Sequence, residues 1–227
     1  MPDPGALSPP GPRLARLWRL GFGLLGLAAL TLQFGLMLSN ADGAPLSRSL
    51  INFFSYFTIL TNLLVAFALL APAIDARAVL GRWMAGEGVR AAVTMYAVVV
   101  GLTYHLLLAR VWSPEGWWWL ADTLLHTAMP LAMLVDWLLF TPKGRLRWFD
   151  AVKWLLFPAV FGAWTLAHGA LSGWYPYWFI DVGELGLERA AINFAGLLAV
   201  FLVLGLAVVA IDRVIGRKRT PVSGSAA

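Results

Sequence analysis

The sequence predicts an all-α, polytopic membrane protein with six transmembrane helices in one bundle, and three observations carry that prediction. Apolar residues make up 60% of the 227 positions and charged residues 13%, against roughly 45–50% and about 25% in an ordinary soluble domain. The apolar residues fall into six long runs, each near the roughly 20 residues that a bilayer-spanning helix needs. Of the 17 Lys and Arg, 14 lie on the two tails and the alternate connections that share their side, as the positive-inside rule requires. A soluble enzyme, a secreted disulfide scaffold and a disordered tail are thereby excluded. The absence of cysteine from the chain removes thiolate zinc sites and cysteine nucleophiles as well.

Taken in order, the spans are expected at residues 17–38, 51–72, 90–110, 120–140, 152–171 and 189–212. They are preceded by an N-terminal tail over 1–16 and followed by a basic tail over 213–227. Ser39-Asn40-Ala41-Asp42-Gly43, Ser113-Pro114-Glu115-Gly116 and Thr141-Pro142-Lys143-Gly144 mark three of the joints with turn-forming residues. The basic side carries Arg13, Arg16 and Arg19, the 75–90 and 141–153 connections and the C-terminal tail, whereas the other side holds Arg48, Arg110 and Arg189. Both termini are therefore expected in the cytoplasm and the chain in the cell (plasma or inner) membrane. The net charge of +5 belongs to this asymmetry and not to nucleic-acid binding. A cleaved signal peptide is the competing reading of the first run, but it would leave five spans and contradict the charge pattern.

Gly21-Phe22-Gly23-Leu24-Leu25-Gly26 matches GxGxxG by letters. No strand precedes it, so close helix packing and not dinucleotide binding is expected. With three histidines and no HExxH, no metal site is predicted and no motif asks for a cofactor. The Trp and Tyr residues at 112–119 and 174–178 read as an interfacial belt. The dense stretch 173–181, with Trp174 and Tyr175, has a second reading as a lid over an outward-facing cavity.

Polar residues within apolar spans are costly and are functional candidates. The second span holds Asn52, Ser55, Thr58, Thr61 and Asn62, and Ser55, Thr58 and Asn62, at i, i+3 and i+7, are expected on one helix face. The fourth holds Asp122 and His126 one turn apart, with Asp136 further along; the third and fifth hold His105 and His168. Thr58 and His126 lie about 6–7 residues from their outer span edges, roughly 9–10 Å deep, and His105 and His168 roughly 5–8 Å deep. One polar layer beneath the outer headgroups could thus contain all three histidines. Thr58 and His126 are the candidate catalytic pair, since a hydroxyl attacks only after a base takes its proton and imidazole is the usual base. Asp122 could orient the imidazole. The plain alternatives are a threonine bonded back to its own helix, interhelical hydrogen bonds from Asn52, Ser55 and Asn62, and Asp136 paired with the basic fourth loop.

The segments Phe54-Ser55-Tyr56-Phe57-Thr58-Ile59-Leu60-Thr61-Asn62-Leu63, Leu124-Leu125-His126-Thr127-Ala128-Met129-Pro130 and His168 with Trp174-Tyr175-Pro176 resemble the bacterial six-span Pr-six-Pr family. More distantly they are similar to the eukaryotic androgen-induced and androgen-dependent membrane proteins. Those relatives are threonine-dependent hydrolases of fatty acid esters of hydroxy fatty acids, with an essential Thr and His. The resemblance implies Thr58 as nucleophile, His126 as the essential histidine, and His168 as the histidine before the Trp-Tyr-Pro patch. Where the eukaryotic proteins carry an acidic residue, this chain reads Ile59-Leu60-Thr61-Asn62, which makes Thr61 a rival nucleophile. Asn62, His168 and Tyr175 are the candidate oxyanion donors.

The expected function is hydrolysis of lipid or fatty-acid esters within the membrane, with membrane lipids and a lipid-ester substrate as partners. The alternative is a binding or transport protein using the same layer without catalysis. Uninterrupted spans and no half-to-half repeat speak against transport. The oligomeric state is left open.

Overall fold

A computed structural model describes residues 11–40 and 43–219, with side chains to residue 217. Most of both expected tails, and Asp42, lie outside the described residues. Six helices are long and apolar enough to cross a membrane: Pro12–Ser39, Phe57–Ile74, Glu87–Leu108, Gly116–Phe140, Trp148–Ser172 and Leu187–Arg217. Among the described residues there is no strand.

Several of these spans are not single α-helices. Helix α1 (Pro12–Ser39) is continuous. The expected second span divides into α2 (Leu46–Phe54) and α3 (Phe57–Ile74), separated by Ser55 and Tyr56, so the single face through Ser55, Thr58 and Asn62 does not exist. A short α4 (Val79–Ala85) precedes α5 (Glu87–Thr103). That helix runs into a π-helical turn at Tyr104–Leu108. A second π turn, Leu124–Ala128, joins α6 (Gly116–Thr123) to α7 (Met129–Phe140). The fifth span bends after α8 (Trp148–Lys153), at Trp154 and Leu155, before α9 (Leu156–Ser172). After a one-turn α10 (Val182–Leu185), α11 (Leu187–Arg219) continues seven residues into the expected basic tail.

Small residues set the helix spacing. A Cβ on Gly23 would meet Leu70 and one on Gly26 would meet Met129, whereas Gly21 faces open space; two of the three glycines in the GxGxxG letters thus act as packing positions. The core is richest around Phe57, whose ring lies 5.1–5.4 Å from those of Phe157, Phe161 and Phe201.

At the basic end, Asp136 is fully buried and carries two arginines. Arg19 of α1 donates to it at 2.8 Å, and Arg90 of α5 forms a second ion pair. Arg90 also donates to Thr141 Oγ1 at 3.0 Å and to the Ala68 carbonyl at 2.7 Å. The expected partner, the basic fourth loop, is replaced by arginines from within the spans. That loop is held by α11 instead: the Asp212 carboxylate accepts the Gly144 and Leu146 N–H groups at 2.9 and 3.0 Å. Gly144, at φ +98°, approaches the backbone of Gly216 where neither residue could carry a Cβ.

Candidate functional site

At the opposite end of the bundle, Thr58 occupies the first turn of α3. The break at Ser55 and Tyr56 decides its chemistry. A membrane-helix threonine usually spends its proton on the carbonyl four residues back, as Thr94 does on Arg90 and Thr165 on Phe161. The helix of Thr58 begins at Phe57, so no helical turn precedes it to accept that proton. Its Oγ1 lies 3.3 Å from His126 Nε2.

His126 is fixed from its other side. Nδ1 lies 3.0 Å from the Asp122 carbonyl and 3.2 Å from Asp122 Oδ1. Both are acceptors, so Nδ1 holds the ring proton and Nε2 presents its lone pair to Thr58. The tautomer is thus the one a general base needs. Tyr104 stacks on the imidazole, with centroids 4.2 Å apart and ring planes 17° from parallel. Tyr104 and His126 each lie on a π turn. Such turns insert an extra residue and re-aim side chains, and they recur at functional sites.

Asn62 acts as a tie. Its amide donates to the Thr58 carbonyl at 2.9 Å and to the Leu125 carbonyl at 3.1 Å, linking the backbones beside Thr58 and His126. Both amide protons are occupied, so Asn62 is not the oxyanion donor. Thr61 Oγ1 is buried with no hydrogen-bond partner among the described residues, and Thr61 is 1% exposed. It has neither a base nor access to a substrate, so Thr58 is the better-equipped of the two.

The three histidines do not share one site. His105 Nε2 pairs with Thr127 Oγ1 at 3.0 Å. His168 Nδ1 lies 3.2 Å from Ser55 Oγ, which also accepts Trp164 Nε1–H at 2.9 Å and donates its own proton to the Ile51 carbonyl at 2.7 Å. With that proton spent, Ser55 is not primed for attack, and His168 is the donor of its pair. His168 therefore serves the break in the second span and does not reach Thr58. Tyr175 packs over Gly169, whose Cβ would run into its ring, while its neighbours Trp174, Pro176 and Tyr177 line the cavity described below. Of the three expected oxyanion donors, Asn62 is spent on two carbonyls, His168 pairs with Ser55, and Tyr175 does not line the cavity.

Tyr177 was hidden by its setting. Its hydroxyl accepts the Phe57 N–H at 2.9 Å, and Tyr177 borders the same cavity as Thr58. Burial pushes its pKa up to about 12, so it stays a neutral phenol able to donate. Among so many aromatic residues in 174–178, a belt reading absorbs it; the only cue was the density of the patch.

Thr58, Asp122 and His126 border a cavity of about 610 Å³, walled also by Tyr56, Trp118 and Trp174. That lies within the ordinary range for ligand sites, about 300–1,000 Å³. The 173–181 loop thus forms one wall. A second, narrower and largely apolar pocket of about 50 Å³ also borders Thr58. Among the described residues no group of three or more His, Asp or Glu could hold a metal ion. No protein-family model, no curated protein and no solved structure matches the chain.

Proposed function

We propose that this protein is a threonine-dependent hydrolase of lipid or fatty-acid esters. It works from the cell membrane, which it spans six times with both termini in the cytoplasm. The observation that carries the reading is a hydroxyl at a helix start, with no helical carbonyl to bond, facing the free nitrogen of an imidazole whose other nitrogen is held by Asp122. The resemblance to the Pr-six-Pr family and to the threonine-dependent fatty-acid-ester hydrolases points the same way. The loop charges support the topology.

In this mechanism Thr58 Oγ1 attacks the ester carbonyl while His126 Nε2 takes its proton. The resulting imidazolium is stabilised by Asp122. The tetrahedral oxyanion forms beside the first turn of α3, where the helix dipole favours negative charge, in the cavity that Thr58 and Tyr177 both border. Collapse breaks the bond to the alcohol oxygen, which leaves with the proton from Nε2. Water, deprotonated by the same nitrogen, then releases the acid from acyl-Thr58. The 3.3 Å separation of Thr58 and His126 suits a resting site, since catalytic hydrogen bonds commonly tighten only with substrate bound. A transport reading is weaker, because the histidines pair with separate hydroxyls and form no relay.

Detergent-purified protein should hydrolyse esters, and Thr58→Ala or His126→Ala should lower kcat/KM by about 100-fold or more, the scale of losing a nucleophile or its base. A fluorophosphonate probe should add to Thr58 in the parent protein. Undiminished turnover in both variants, with no adduct at Thr58, overturns the assignment.

A further inference from the structure

The first two helices supply a wall of the 610 Å³ cavity that the proposed chemistry does not use. Gln33 and the C-cap Asn40 of α1 line it, with Ser49 and Asn52 of α2. Spacings of seven and three residues put each pair on one side of its helix. All four side chains are uncharged, and each both donates and accepts hydrogen bonds. Gln33 lies roughly 9 Å in from the Ser39 end of α1, a depth at which an amide needs a partner. Ser49 is only 8% exposed. Yet the side chains of Gln33, Ser49 and Asn52 have no hydrogen-bond partner among the described residues, so their bonding capacity is turned to whatever fills the cavity.

The charge of the lining is as selective as its polarity. Among the described lining residues Asp122 is the one carboxylate, and none is Lys or Arg. A phosphate or carboxylate carried close to the ester would enter unpaired, in the neighbourhood of a like charge. The narrower pocket offers, beyond Thr58, only Thr103 and Tyr177 as polar side chains. A polar group of the substrate is therefore satisfied in the large cavity.

Proton transfer decides which half of an ester carries that group. The departing alcohol takes its proton from His126 Nε2, and His126 borders the large cavity but not the narrower pocket. The alcohol half thus lies among the uncharged polar side chains. We infer that this half is a neutral polyol whose free hydroxyls are bound by Gln33, Ser49 and Asn52, which makes the substrate a fatty monoester of the monoacylglycerol type. The inference rests on the hydrolase reading and narrows its alcohol half; the acyl half remains a fatty chain. The bond broken joins acyl carbon to alcohol oxygen, and water completes the acid, so the products are a fatty acid and the free polyol.

The test is oleate release from monooleoylglycerol, methyl oleate and oleoyl lysophosphatidate in identical mixed micelles, by the full chain, with Thr58→Ala as the blank. The three share an acyl chain and differ in the alcohol, which carries free hydroxyls, none, or a hydroxyl and a phosphate. Thr58-dependent kcat/KM should be higher for monooleoylglycerol than for either of the others by about tenfold or more, since a site built to bond a hydroxyl discriminates against a substrate lacking it. Ser49→Ala and Asn52→Leu should each lower the ratio of monooleoylglycerol to methyl oleate turnover by about threefold or more, the scale of one neutral hydrogen bond. That ratio is taken within one preparation, so a partly misfolded variant does not distort it. Equal or greater turnover of methyl oleate or of the lysophosphatidate, or a ratio that neither variant moves, overturns the inference and leaves the hydrolase standing. No Thr58-dependent turnover of any ester overturns the hydrolase reading itself.

Discussion

Two threonines three residues apart illustrate how much a hydroxyl depends on its surroundings. Thr58 stands at the start of a helix beside an imidazole, whereas Thr61 is sealed inside with its oxygen unpartnered. An unsatisfied buried polar group costs about 1–3 kcal/mol. Thr61→Val, which keeps the shape and removes that oxygen, should therefore raise the thermal unfolding midpoint in detergent without lowering ester hydrolysis. Asn62→Leu should do the opposite. It frees the Thr58 and Leu125 carbonyls from a shared donor, so turnover should fall while Thr58 remains in the chain to be labelled, slowly, by a fluorophosphonate. The plain reading of Asn62 as an interhelical hydrogen bond holds, but its partner and the isolation of Thr61 were not legible beforehand. Both residues read as polar groups on one span, and the amide's second partner, Leu125, is 63 residues away.

Breaks and bulges in the helices build the site. The gap at Ser55 and Tyr56 has no proline or glycine to announce it, because tertiary contacts hold it open. Trp164 and His168 bond to Ser55, and Tyr177 caps the Phe57 N–H. The two π turns are equally silent in a hydropathy pattern, which gives depth but not rotation. That is why three histidines at similar depth were expected together and are found in three separate pairs. Gly101 shows how closely the third span presses on the second π turn: a Cβ there would lie 3.2 Å from the His126 carbonyl. Gly101→Val should push the two apart and lower kcat/KM by about tenfold, the cost of a small misplacement of a catalytic base, with helicity by circular dichroism unchanged.

Across the whole molecule, the number of spans and their approximate positions were plain from composition alone, since a bilayer tolerates little else over such lengths. The ion-pair cluster at the basic end was not. Asp136 was visible, but its arginines are 46 and 117 residues distant and approach only when α1, α5 and α7 pack. Asp136→Ala would leave Arg19 and Arg90 facing each other without their carboxylate. Breaking a buried pair in this way costs about 3–5 kcal/mol, and the unfolding midpoint in detergent should fall accordingly. The cysteine-free chain also makes topology simple to test. On intact cells, Glu115→Cys should react with a membrane-impermeant maleimide, and Arg145→Cys only after permeabilisation.

The grip of Asp212 on Gly144 and Leu146 has a bearing on biosynthesis. Five spans have emerged from the ribosome before that carboxylate exists, and until it arrives two amides of the fourth loop lack their acceptor. The sixth helix is therefore a keystone, so assembly of the fourth loop waits for its synthesis. Nascent chains stalled just short of Asp212 should be cleared by quality-control proteases, whereas those completed through Gly216 persist.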